Sequence, residues 1–185
     1  MSASADHGSG QDAGVEADEH GPRRAVVVMG VAGCGKSTIA GLLAERLGWP
    51  LGEADDLHPP ANVAKMASGT PLTDDDRWPW LDDVRAWIDA QPSDCVLTCS
   101  ALKRDYRDVL RKAEAQVLFA HLDGTVEQLR ARISGRVGHF MPPALLDSQL
   151  ATLEPLEDDE AGAVLGIAGT PDAIADAVMK ALRLP

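Results

Sequence analysis

Gly30-Val31-Ala32-Gly33-Cys34-Gly35-Lys36-Ser37 is the stretch on which the fold turns. It fits G-x-x-x-x-G-K-[ST], a loop whose backbone N–H groups cradle nucleotide phosphates. Its neighbours supply the setting that such a loop needs. Ala25-Val26-Val27-Val28-Met29 is a β-branched apolar run of the kind that makes a buried parallel strand. Downstream, Ile39, Leu42, Leu43 and Leu47 recur at helical spacing, and Gly48 supplies a stop.

The residue types suit the chemistry. Gly30, Gly33 and Gly35 let the backbone turn tightly, so that Val31, Ala32 and Cys34 can aim their N–H groups inward. The helix behind adds roughly half a positive charge at its N-terminus, where Thr38 is a further phosphate contact. Lys36 is placed to reach the β- and γ-phosphates, and the Ser37 hydroxyl to ligate Mg²⁺. A nucleoside triphosphate with Mg²⁺ is the expected ligand.

The chain has 185 residues, enough for one domain with a full core, with 45% hydrophobic and 25% charged residues. A formal net charge of −12 argues against nucleic acid or an anionic membrane as partner. An anionic ligand must therefore be held by local cations against an unfavourable overall field. Part of that charge lies in a tail: Asp6, Asp12, Glu16, Asp18 and Glu19 stand without any Lys or Arg in residues 1–20. Residues 1–22 read as a disordered tail, with neither the basic start nor the apolar centre of a secretory signal, and 23–185 as a single domain. No apolar run approaches the ~18 residues of a membrane span. Cys34, Cys95 and Cys99 lack metal-ligand spacing. Cys95 and Cys99 share one face of a strand and read as core, and free thiols point to a reducing, cytoplasmic setting.

Along the chain, a short second strand near Leu51 to Ala54 leads into a charged loop. Glu53 and Asp55 share a side if the strand extends that far, at the end where open α/β sheets place ligands. One carboxylate can hold metal-bound water and the other accept a proton from an attacking hydroxyl; a polar loop with a helix cap is the competing reading. His58, before two prolines, suits a turn as well as a substrate contact. Asn62 to Ser68 reads as a short helix. Thr73-Asp74-Asp75-Asp76 opens a longer one, its acids suited to the helix start, and Arg77 suits substrate or structural pairing. A third strand, Cys95 to Cys99, runs into Ser100-Ala101-Leu102-Lys103-Arg104. Lys103, Arg104 and Arg107 are candidates for the ligand crevice, with a solvated helix face as the alternative. A fourth strand spans Val117 to Leu122, and the helix after it carries Arg132 toward Gly135, Arg136 and Gly138. Arg132 and Arg136 lie four apart on one face and suit a lid around 135–150 that stacks on the base and offsets charge. A helix from Leu145 to Leu153 precedes Glu154 to Glu160, an acidic run read as a solvated turn. Ala163 to Ala168 is a fifth strand, Gly169-Thr170-Pro171 a candidate adenine wall, and Ala173 to Leu184 a final helix.

Together MGVAGCGKST, the D-x-L-H-P of Asp55 to Pro59 and KMASGTPLTDDDRWPWL from Lys65 to Leu81 resemble the bacterial-type gluconokinases, small P-loop sugar-acid kinases. CSALKRDYRDVLR from Cys99, the R-x-x-x-R-x-G-H-F of Arg132 to Phe140 and SQLATLEPLEDDE from Ser148 extend the match from about Ala25 to near the C-terminus. The resemblance implies an α/β P-loop kinase fold, a five-stranded parallel sheet in order 2-3-1-4-5 flanked by helices, with a mobile lid. It implies transfer of the ATP γ-phosphoryl group to the 6-hydroxyl of D-gluconate, feeding the pentose phosphate route, commonly by a homodimer. It implies Lys36, Asp55 and Arg136 in catalysis, and Asp55, His58, Lys65, Arg77, Lys103, Arg107 and His139 around the sugar acid. Glu53 stands where related kinases often have aspartate, which leaves its place beside Ser37 on Mg²⁺ to be tested. Shikimate kinase is disfavoured because no two glycines are adjacent, and a GTPase because the only asparagine, Asn62, precedes Val63. A non-catalytic ATP-binding module and a nucleoside monophosphate kinase are the remaining alternatives.

Overall fold

The apolar runs form the sheet. In the computed structural model, which describes residues 21–134 and 143–185, β1 (Arg24–Met29) is followed by α1 (Lys36–Leu47) and β2 (Leu51–Glu53). A 3₁₀ turn (Ala54–Leu57), α2 (Pro60–Ala67) and α3 (Asp74–Asp89) lead to β3 (Cys95–Thr98) and α4 (Arg104–Leu110). Then come β4 (Gln116–Asp123), α5 (Val126–Ser134), α6 (Pro143–Thr152), β5 (Gly162–Gly166) and α7 (Pro171–Ala181). The five strands lie parallel in the order β2-β3-β1-β4-β5, as the resemblance implied.

Alternation along β1 divides the interior into two cores. Val26 and Val28 pack with Ile39, Leu43, Leu129 and Val178 on one side, and Ala25, Val27 and Met29 pack with Leu81, Val84, Ile88 and Phe119 on the other. All five β1 residues from Ala25 to Met29 are fully buried, as a central parallel strand covered on both faces should be. Cys95 and Cys99 join the second core, as their spacing predicted. On the first side α1 and α7 pack against one another. Arg46 of α1 ties them at the surface, with Nη2 2.6 Å from Asp172 and Nη1 2.6 Å from Asp176.

Several bounds differ from expectation. α2 starts at Pro60 rather than Asn62, because proline's fixed φ and missing N–H suit a first helical position. β2 stops at Glu53, so Asp55 lies on the 3₁₀ turn and the two carboxylates do not share a strand face. β5 runs from Gly162 to Gly166 rather than to Ala168. The expectations for residues 1–20, and for the part of the lid at 135–142, lie outside the described residues.

Candidate active site

The phosphate loop leaves the C-terminal end of β1 and enters α1 through glycines that nothing else can replace. Gly33 has a φ of +83°, and a Cβ there would stand 2.6 Å from Ile133 Cγ1 of α5. Gly30, at φ +131°, would place its Cβ 2.6 Å from the Leu122 carbonyl oxygen. Sterics and backbone sign thus both demand glycine. The first turn of α1 carries no acidic residue, so the positive end of the helix is left for an anion. Lys36 folds over the loop and donates to the carbonyls of Gly30 (3.0 Å) and Val31 (3.2 Å). One loop donor is already engaged, for the Ala32 N–H donates to Gln149 Oε1 of α6 at 2.6 Å.

Beside this loop, β2 and β3 end in register at Glu53 and Thr98. The Glu53 carboxylate accepts a hydrogen bond from the Thr98 hydroxyl and another from Ser37 Oγ at 3.3 Å. Three oxygen groups from three elements meet at the sheet's C-terminal end. Among the described residues no group of three or more His, Cys, Asp or Glu could enclose a metal. The donor set fits Mg²⁺, which prefers hard oxygens and few protein ligands and keeps much of its water. Ser37 with Glu53 would hold it, with Thr98 orienting the carboxylate.

At the other side of α1, a cleft of about 290 Å³ is lined by Gly33, Gly35, Thr38, Arg132, Pro171 and Ile174, among others. Arg132 Nη1 donates to the Cys34 carbonyl at 3.0 Å and Nη2 to the Ile167 carbonyl at 2.5 Å, bridging the phosphate loop to the chain before α7. The turn expected to wall the adenine therefore does border a cleft, through Pro171.

Asp55 is exposed on its 3₁₀ turn, which Trp80 of α3 anchors by donating from Nε1 to the Ala54 carbonyl at 2.7 Å. His58 stacks on Trp80 with ring centroids 4.3 Å apart. Burial lowers its pKa, with Asp55 opposing and Arg77 adding to the effect, so the imidazole is neutral at pH 7. Arg77 and Lys103 converge on Tyr106, their charged centres 5.7 and 5.4 Å from its ring centroid. Asp55, His58, Arg77 and Lys103 thus gather on one flank of the sheet end.

Two expected contacts are drawn elsewhere. Arg107 is 0% exposed, and its guanidinium pairs in bidentate fashion with Glu160, Nε to Oε1 at 2.6 Å and Nη2 to Oε2 at 2.9 Å. Its remaining N–H groups donate to the carbonyls of Ala101, Leu102, Glu154 and Pro155. With every donor engaged inside the protein, Arg107 is a structural residue and not a sugar-acid contact. Glu160 is likewise buried, which corrects the reading of its acidic run as a wholly solvated turn. Lys65 pairs with Asp76 Oδ1 at 2.6 Å and so supports the start of α3. Arg136 and His139 lie outside the described residues.

Sequence reasoning did not single out Thr98, Tyr106 or Gln149. Thr98 ends a central strand, and Tyr106 follows Lys103 by three residues, one helical turn; both signals were available. Gln149 offered none, since its partner is 117 positions away. Cys34, although it lies inside the phosphate loop, is fully buried and burial raises its pKa, so the thiol is protonated and shielded.

No family model matches the chain. A gluconokinase of Gluconobacter oxydans is 49% identical over 162 residues, 85% of this chain and 90% of that protein. A solved sugar kinase of Janibacter sp. is 51% identical with a TM-score of 0.83, covering 88% of this chain and 96% of its own. The crystal structure of a gluconokinase from Sinorhizobium meliloti is 42% identical with a TM-score of 0.80, covering 87% and 92%. With likeness of this degree over nearly the whole length of both partners, the chain belongs to the gluconokinase family of P-loop carbohydrate kinases.

Proposed function

We propose that the protein transfers the γ-phosphoryl group of ATP to the 6-hydroxyl of D-gluconate, giving 6-phospho-D-gluconate and ADP. The observation that carries the reading is the meeting of two half-sites at one sheet end. The phosphate loop with Ser37 and Glu53 shares the sheet end with a flank that carries an exposed carboxylate, Asp55 on the 3₁₀ turn, and two cations gathered at Tyr106, Arg77 and Lys103. The first half holds a triphosphate and the second suits a polyhydroxylated acid.

Lys36 exchanges its loop carbonyls for the β- and γ-phosphates, and the α1 terminus faces the developing charge. When bound, Mg²⁺ would neutralise charge on the phosphate oxygens, and Ser37 and Glu53 are the residues that would hold it. Asp55 orients the 6-hydroxyl and takes its proton as the O6–Pγ bond forms and the bond from Pγ to the ADP oxygen breaks; the proton then passes to solvent. Arg132, with Arg136 assigned to the lid, offsets charge on the transferring group. Arg77 and Lys103 take the acid end, with His58 beside them. The homodimer and the cytoplasmic setting are carried by the resemblance and the free thiols, and sedimentation velocity tests the former.

Coupled ADP release with Mg·ATP tests the reading against gluconate, glucose, shikimate and AMP. Turnover with gluconate alone, absent in Lys36→Ala, is expected. Turnover with shikimate or AMP instead would overturn the substrate while keeping the phosphate chemistry.

A further inference from the structure

Asp74 sits in the first turn of α3 but does not cap it. Thr73 and Asp76 do so reciprocally, the Asp76 N–H donating to the Thr73 hydroxyl and the Thr73 N–H to Asp76 Oδ2. Asp74 is therefore free to turn toward α4. Its Oδ2 accepts from Lys103 Nζ at 2.7 Å, and its Oδ1 accepts from the Tyr106 hydroxyl at 2.5 Å and lies 3.5 Å from Arg77 Nη1. Two cations and a phenol converge on the oxygens of one carboxylate, the group that the acid end of the substrate would also present.

We propose that Asp74 is a built-in competitor for the substrate carboxylate: it occupies the cradle of Lys103, Tyr106 and Arg77 and yields it when a sugar acid enters. The inference rests on the assignment of Lys103 and Arg77 to the acid end of the acceptor. The cradle holds two positive charges against one negative, so it still attracts a second anion. The Asp74 side chain is 43% exposed, and on release it stays at the N-terminus of α3, where the helix favours an acid. Hydrogen bonds from Lys103 and Tyr106 lower its pKa, so the competitor is charged throughout the neutral range. An exposed ion pair of ordinary strength leaves such a cradle open about a fifth of the time, which raises the apparent KM about fivefold.

The test is steady-state kinetics of Asp74→Asn, which leaves the Thr73–Asp76 cap in place. The KM for gluconate should fall about fivefold, with the KM for ATP unmoved. An unchanged or higher gluconate KM overturns the proposal, a rise meaning that Asp74 holds the acceptor or positions Lys103. In a Lys103→Ala background the same substitution should gain nothing; an equal fall there also overturns it. Lys103→Ala alone should raise the gluconate KM at least about tenfold. If it does not, the carboxylate assignment fails and the proposal with it, while turnover of gluconate by the wild-type chain stands as a separate result.

Discussion

Replacing Arg107 by methionine removes a fully buried guanidinium and strands its partners. Glu160, also without side-chain exposure, would keep only the Glu157 N–H at 2.9 Å and a distant Arg104 at 4.0 Å. Four backbone carbonyls would lose a donor as well. Breaking a buried pair from one side costs about 3–5 kcal/mol, most of it the price of an uncompensated charge. In a domain of this size that is a fall in Tm of about 6–20 °C. The double variant Arg107→Met, Glu160→Leu should recover most of the loss, because removing both charges leaves only neutral groups unpaired, the four carbonyls and the Glu157 N–H. Differential scanning fluorimetry with urea titration measures both. A single variant within about 1 kcal/mol of wild type, with a raised gluconate KM, would refute the structural role and return Arg107 to the substrate.

Asp55→Asn should lower kcat by about 10²–10⁴ with a smaller effect on either KM, since the amide can orient the hydroxyl but not take its proton; stopped-time product assays suffice. Stability should be flat from pH 8 to about 7, decline as pH falls through the ordinary imidazole range because burial lowers the pKa values of His58 and His121, and fall further below about 4. Asp74, Asp108, Asp159 and Glu160 all have lowered pKa values in the fold, and Asp76 is held at about 2 by Lys65 and Thr73. Their stabilisation is present above the ordinary carboxylate pKa and is lost as pH drops through the lowered ones, so a Tm that rises on acidification would contradict the pairs. Cys34 should resist thiol reagents and peroxide in the native protein, with burial holding Cys95 at about 11 and Cys99 at about 12 as well; stoichiometric labelling without unfolding would show that the loop opens.

The strands and the phosphate loop were legible because their signals are local. Ala25 to Met29 is buried on both faces and so carries no polar interruption, and the glycine spacing follows from backbone geometry within eight residues. The acceptor flank was less so. Arg104 and Arg107 share α4 with Lys103 just before it, and nothing in their spacing says that one is sealed by Glu160, 53 positions on. Asp74 read as a helix-start acid because composition there satisfies the helix equally well whether the side chain caps or turns to α4. Glu53 ends β2 and Asp55 lies just beyond it, but the two are not strand neighbours, since the 3₁₀ turn begins between them.

The packing of α1 against α7 has a thermodynamic consequence. The cleft proposed for the nucleotide is walled at one end by the phosphate loop and α1 and at the other by α7, and the two helices share a core and the Arg46 clasp. Both ends thus move as one body, so little conformational entropy is left to be lost there when a nucleotide arrives. The acceptor flank rests on exposed Asp55, half-exposed Asp74 and long cationic side chains, and its freezing is the larger loss. Nucleotide affinity should accordingly be nearly independent of the acceptor's presence, whereas calorimetry of acceptor binding should show the larger unfavourable entropy.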